Sequence, residues 1–261
     1  MTLTQGVILG TVQGLTEFLP VSSSGHLALA QELMPGFEQP GILFDVVLHL
    51  GTLVAVILYF RQDLKNLLSS PFRHDIQSVQ DRRYLRLLMV GSIPTAIIGL
   101  TFKHTVEQLL HRPLVVASML LVTGLILFVA ERFRSSARKR LNLGDSLLTG
   151  IAQGIAVLPG ISRSGATIAV LLMRGVEGQA AARFSFLLAL PAIGGAALLS
   201  LKDVDRLPKN EIGIYLAGAG MACLTGLICI HLLVGMIRKK NLYLFSLYCW
   251  VVGGAALYLF R

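Results

Sequence analysis

Charged side chains are scarce in this chain. Only 14% of its 261 residues are Asp, Glu, Lys or Arg, against about 25% in a soluble domain. With 54% hydrophobic residues and a mean hydropathy of +0.70, that scarcity excludes an ordinary soluble globule. Cysteine is nearly as thin. Cys223, Cys229 and Cys249 all fall in apolar runs, where a thiol packs as a small hydrophobe, so neither a disulfide framework nor a cysteine metal site is expected. The N-terminus lacks a basic leader and a small-residue cleavage site, so no removable signal peptide is expected. Acidic residues number 14 against 23 Lys and Arg, giving a net charge of +9. Those cations stand in short clusters at the ends of apolar runs, as orientation signals do, and no nucleic-acid partner is expected.

What the chain has instead is long apolar runs at 43–60, 87–102, 114–130, 184–201, 212–237 and 242–260. Each approaches the ~20 apolar residues that cross a bilayer. It also has an internal repeat. Gln13-Gly14 returns as Gln153-Gly154 and Ser24-Gly25 as Ser164-Gly165, both at an offset of 140. Leu19-Pro20 returns one residue early as Leu158-Pro159, after which the register recovers. In both copies the polar residues gather at a Pro/Ser/Gly break between two short apolar stretches. Non-helical backbone at membrane depth survives only where protein or a water-filled cavity satisfies it, so each break reads as the tip of a re-entrant hairpin.

The expected fold is an all-α integral membrane protein built from an inverted-topology repeat. Each half is a re-entrant helix hairpin plus three transmembrane helices, for ten helices and six full spans. The first repeat, 1–140, holds a hairpin at 3–34 and spans at 43–60, 87–106 and 114–131. The second, 141–261, holds a hairpin at 146–173 and spans at 183–201, 212–237 and 242–260. Three crossings between the hairpins put them on opposite faces, so the two tips are able to meet in one functional domain. Counting Lys and Arg puts sixteen on one side, from Arg61 to Lys240, and six on the other, namely Lys103, Arg112, Lys202, Arg206, Lys209 and Arg261. That bias puts the sixteen in the cytoplasm, and both termini and the first hairpin's mouth outside.

Glu17 and His26 flank the first turn and Arg163 lies in the second. A charge at that depth costs at least ~2.5–3.5 kcal/mol, so such residues line a site or pair with each other. A plain ion pair between Glu17 and Arg163 locking the halves is one reading. The company of Ser22, Ser23, Ser24, Ser162, Ser164 and Thr167 favours a site, because a lock does not need so many hydroxyls. Residues 159–165 have the parts of an anion cradle: glycines at 160 and 165, hydroxyl donors, helix-start amides and a guanidinium fork. Ser22-Ser23-Ser24-Gly25 is a weaker version, and helix capping is the plain reading of one serine in each turn. Gln13 and Glu17, four apart, share a helix face and are candidate anchors for a hard divalent cation. His26 reads as a general acid or base, a charge neutraliser, or a satisfied packing residue. Asp45 and His49 face the site or simply bond to each other. His74, His104, His111 and Glu107 read as solvated. Gly218, Gly220, Ala222 and Gly226 serve internal packing or a homodimer contact.

Residues 13–26 resemble the Glu/Gln-x-x-x-Glu signature of the bacterial undecaprenyl-diphosphate phosphatases, the bacitracin-resistance family. Residues 159–167 resemble that family's Pro-Gly-x-Ser-Arg-Ser-x-x-Thr signature, and the likeness runs over essentially the whole chain. It implies a multi-pass enzyme of the bacterial cytoplasmic membrane. Such an enzyme hydrolyses an isoprenoid diphosphate lipid to the monophosphate and inorganic phosphate, recycling the carrier for cell-wall synthesis, with a divalent cation, Mg²⁺ or Ca²⁺. On that reading Arg163 and the 162–165 amides, with Thr167, hold the phosphates, and Glu17 holds the metal or activates the nucleophile. Gln13 stands where the signature also allows Glu, which weakens its part as a direct ligand. Ser23 is the expected nucleophile, with His26 relaying the proton; attack by water or by His26 stays open. The rival class is an inverted-repeat transporter or flippase for a phosphorylated lipid.

Overall fold

A computed structural model describes residues 1–37, 43–134, 138–200, 211–238 and 242–261. Lys202, Arg206, Lys209, Lys239 and Lys240, which enter the charge count, lie outside the described residues, as does the expected end of one span at 201. Every regular element among the described residues is helical. In order they are α1 (Leu3–Phe18), α2 (Ser23–Leu33), α3 (Leu43–Tyr59), α4 (Arg61–Ser69), α5 (Ile76–Leu110), α6 (Pro113–Arg132), α7 (Leu143–Ile155), α8 (Arg163–Met173), α9 (Gly178–Ser200), α10 (Ile212–Arg238) and α11 (Leu242–Leu259). Five are long and apolar enough to cross a membrane, and α3 makes six when counted with the helix bent 75° from its end. The chain is a multi-pass integral membrane protein.

The largest departures from the expected layout are α4 and α5, and α9 also begins early, at Gly178 and not 183. Arg61–Ser69 forms a helix, followed by a 3-10 turn at Ser70–Phe72, where no helix was expected. The described residues therefore hold eleven α-helices, not ten. Helix α4 is polar, buries Leu67, and is tied to α9 by an ion pair between Asp63 and Arg183; its few apolar residues kept it below the threshold of a span. Helix α5 starts at Ile76, not 87, because Asp75 caps it by accepting from the Ser78 amide at 2.6 Å. At 35 residues it rises about 52 Å, well beyond a ~30 Å hydrocarbon core.

The two hairpins are started by the same device. Thr2 and Gln5 form a capping box on α1, and Asn142 and Asp145 form one on α7, at the offset of the sequence repeat. Asp145 also takes Arg138 at 2.7 Å and Arg174 at 2.9 Å, which clamps the two ends of the α7–α8 hairpin together. This start lies three residues ahead of the expected 146. The repeat reappears in the packing. Helix α1 lies so close on α10 that a Cβ on Gly10 would stand 2.2 Å from the Gly218 carbonyl oxygen. Helix α7 lies as close on α5, where a Cβ on Gly150 would stand 2.0 Å from the Gly91 carbonyl oxygen. Between apolar helices in lipid, dispersion and close backbone approach supply the attraction that water would otherwise provide. Gly218, Ala222 and Gly226 are thus spent on internal packing, whereas Gly220 has open space around it among the described residues.

Side chains at the Gly10 contact have nowhere to go, because the facing atom is backbone. Gly10→Val is expected to lower unfolding stability in detergent by about 1–3 kcal/mol or more, with Gly220→Val near wild type. Equal thermal shifts for the two would contradict this packing.

Candidate active site

The two polar breaks touch. Helix α1 ends at Phe18 and α2 restarts at Ser23; α7 ends at Ile155 and α8 restarts at Arg163. Ser22 caps α2 by accepting from the Gly25 amide at 3.3 Å, and Ser162 caps α8 by accepting from the Gly165 amide at 3.0 Å. The capping expected of one serine per turn is therefore present at both. The Ser164 hydroxyl donates across to the Leu19 carbonyl at 3.1 Å, and a Cβ on Gly25 would stand 3.1 Å from the Gly160 Cα. Gly160 has φ of 94° and Ser22 has φ of 72°, a left-handed region that glycine enters freely and serine does not. Thr123 of α6 latches the second turn, its hydroxyl donating to the Gly160 carbonyl at 2.8 Å and accepting from the Ser162 amide at 3.0 Å.

Glu17 and Arg163, one from each half, form an ion pair at this junction. Arg163 Nη2 donates to Glu17 Oε1. The other carboxylate oxygen, Oε2, accepts from Ser23 Oγ at 2.5 Å and from Gln13 Nε2 at 2.9 Å, and His49 Nε2 stands 3.5 Å away. Glu17 is buried, and a buried carboxylate needs this many donors to offset lost hydration. The same arrangement gives Ser23 a carboxylate acceptor for its proton, which is what a hydroxyl nucleophile requires.

A cavity of about 290 Å³ opens beside the pair. Glu17, Ser22, Ser23, Ser24, Ser162 and Arg163 line it, together with Asp45, His49, Thr95 and Gln153, and the remaining wall is apolar, from Leu27 and Val46 to Ile193 and Ala196. Of the other expected residues, Gln13 sits behind Glu17, steered by Thr52 at 3.4 Å. Gly25 and Gly165 spend their amides on the capping serines, so those amides are not turned to an anion. Thr167 bonds the Ser185 hydroxyl at 2.6 Å and the Arg163 carbonyl at 2.8 Å, so it steadies α8 from behind. His26 lies outside the cavity wall, engaged by Ser22 and Tyr248.

Sequence reading left Asp45 and His49 undecided; both line the cavity, and Asp45 accepts from Gln31 at 2.6 Å. It missed Thr95, Thr123 and Gln153. Gln153 was findable as the repeat partner of Gln13, whereas a lone threonine inside an apolar helix carries no signal. Gln13 Oε1 and Gln153 Oε1 are both buried without a hydrogen-bond partner, two spare acceptors at equivalent places in the two halves. Among the described residues no three His, Cys, Asp or Glu side chains cluster as a metal cage. The oxygen acceptors on offer there are the Glu17 carboxylate and those two amide oxygens, the ligand type that hard divalent cations prefer.

Residues 6–255 match the profile of the family described as bacitracin resistance protein BacA. The chain is 53% identical over 256 residues to the undecaprenyl-diphosphatase of Syntrophotalea carbinolica, covering 97% of each. It is 44% identical over 267 residues to that of Desulforapulum autotrophicum, covering 97% of this chain and 96% of the relative. The corresponding protein of Methanosphaera stadtmanae is 40% identical over 268 residues, with the same coverage.

Removing the Thr123 hydroxyl strands a buried donor and a buried acceptor on the second turn. Thr123→Val is expected to cost about 1–3 kcal/mol of unfolding stability, while Thr123→Ser stays near wild type. A Val variant as stable as the wild type would remove Thr123 as the latch.

Proposed function

The chain belongs to the bacitracin resistance protein BacA family, and from that premise we propose that it hydrolyses undecaprenyl diphosphate to undecaprenyl phosphate and inorganic phosphate in the membrane. Carrier recycling for cell-wall polymers and resistance to bacitracin follow from that activity. One observation carries the reading: Glu17, Ser23 and Arg163 interlock at a cavity whose remaining wall is apolar. A diphosphate head enters the polar corner while its isoprenoid tail stays among apolar side chains.

Phosphoryl transfer needs positioning and charge stabilisation more than covalent help from the protein. Arg163 presents a fork that a phosphate shares with, or takes from, Glu17. Ser22, Ser24 and Ser162 add hydroxyl donors from the same wall. Ser23 Oγ attacks the terminal phosphorus and its proton passes to Glu17. The phosphoanhydride P–O bond breaks with its electron pair going to the lipid monophosphate. Water then attacks the phosphoserine, giving back the serine proton and releasing inorganic phosphate. A divalent cation, Mg²⁺ or Ca²⁺, would be held by Glu17, with the unpartnered Gln13 Oε1 as a second candidate oxygen, and would neutralise phosphate charge.

We read the architecture as six spans and two re-entrant hairpins in inverted repeat. The 16 residues of α1 and 13 of α7 rise only about 24 and 20 Å, short of the ~30 Å core. Paired capping boxes, paired glycine contacts and paired glutamines support the repeat. The Lys and Arg bias favours both termini and the cavity mouth on the outer side, and the open space at Gly220 leaves room for a homodimer contact there.

Phosphate release from the lipid diphosphate by purified protein in micelles tests the reading. Wild type is expected to release phosphate and lose that activity to chelator. Arg163→Ala and Ser23→Ala should each lower kcat at least about 10³-fold while staying folded. A wild type that releases no phosphate in micelles, where no second compartment exists, would instead favour a flippase.

A further inference from the structure

We propose that His26 serves the reaction as a positioning residue, holding the serine turn in shape through Ser22, and that Tyr248 of α11 is what holds His26. The proposal rests on the phosphatase reading of the Ser22–Ser24 turn and concerns how that turn is kept ready.

Both ring nitrogens of His26 are engaged within the protein. Nδ1 lies 2.8 Å from the Ser22 carbonyl oxygen. A carbonyl only accepts, so Nδ1 carries the proton. In the neutral ring Nε2 is then the acceptor, and the Tyr248 hydroxyl, 2.9 Å away, is its donor. The two rings are also stacked, 7° from parallel with centroids 5.6 Å apart. His26 is absent from the cavity wall that Ser22, Ser23 and Ser24 form. An imidazole so placed has no free edge to offer a substrate in that cavity.

What it does hold is the most demanding backbone in the site. Ser22 is, among the described residues, the one non-glycine residue with positive φ. Side-chain-bearing residues stay in that region only where the surroundings over-determine it. Here the Ser22 carbonyl accepts twice from His26, from the backbone amide at 3.1 Å and from Nδ1 at 2.8 Å. The turn that results sets Ser23 Oγ 2.5 Å from Glu17 Oε2.

Tyr248 connects this turn to a frame that also serves the other one. Its neighbour Cys249 points its thiol at the Pro20 carbonyl, 3.9 Å away, at the same turn. Helix α11 is stitched to α6 by Ser246 donating to the Gly124 carbonyl at 2.6 Å and Trp250 donating to the Leu121 carbonyl at 3.2 Å. Helix α6 carries Thr123, the latch of the second turn. One helix pair therefore sets both turns.

The test uses the full chain in detergent, phosphate release from undecaprenyl diphosphate, and thermal unfolding of each variant. His26→Asn, whose amide N–H reaches the same carbonyl, should stay within about fivefold of wild-type kcat, while His26→Ala falls at least about thirtyfold with KM changed less than about twofold. Tyr248→Phe, at a partly exposed position, should lower kcat about three- to tenfold in the wild type yet less than about 1.5-fold in the His26→Asn background, because the two residues act through one contact. A folded His26→Asn as inactive as His26→Ala would show the imidazole acting on substrate and overturn the proposal. So would a Tyr248→Phe effect that is absent in wild type, or equal in both backgrounds. A wild type without phosphate release would instead sink the phosphatase reading itself, and the proposal with it.

Discussion

A buried carboxylate needs a cation beside it, and in this protein the carboxylate and its half-buried guanidinium come from opposite halves of the chain. Glu17 ends the first arm of one hairpin and Arg163 starts the second arm of the other. Neither hairpin alone satisfies the charge it carries. Without Arg163 the buried Glu17 carboxylate keeps only the neutral donors Ser23 and Gln13, and its charge is left uncompensated. Each hairpin is therefore completed by the other, and the site exists only where they meet.

The surrounding helices make that meeting reproducible. Glycine contacts let α1 settle on α10 and α7 on α5 at backbone distance. Helices α1 and α7 thus each lean on a helix of the other half, so a shift in either has to displace backbone and not merely side chains. Around the junction, hydroxyls do the fine setting. Ser164 reaches the first turn, Thr123 grips the second, and Ser185 takes Thr167 behind α8. In the low-dielectric interior these neutral bonds are strong and geometrically strict, which fixes the shape of the junction.

Much of this was legible in the residues. Apolar runs separated by basic clusters gave the membrane helices, since the bilayer demands length and satisfied backbone. The duplicated Gln-Gly and Ser-Gly pairs located both turns, because each copy gathers its polar residues at a break between two short apolar stretches. That Glu17, Ser23 and Arg163 would be brought together was legible for the same reason: charge and clustered hydroxyls in apolar sequence are costly to leave without partners. Other features left no trace. Helix α4 lacks the apolar length that marks a span. Thr95 and Thr123 look like any threonine in a lipid-facing helix until the partner helix is in place. His26 drew attention by being ionisable and near the turn, yet the direction its ring faces depends on Tyr248, 222 residues away.

The account stands on the contact between the two turns, and cross-linking measures it without reference to turnover. A Cβ at position 165 would lie 3.4 Å from the Pro20 Cβ, close to the roughly 3.5–4.5 Å that a disulfide spans, with the Ser162 side chain, 2.9 Å from it, shifting to admit it. In a background with Cys223, Cys229 and Cys249 replaced, Pro20→Cys with Gly165→Cys should oxidise to a single intramolecular bond. That bond would hold the two halves together on a gel after proteolysis between them. Two thiols that stay free under the same oxidant, in protein that remains folded, would contradict a shared site.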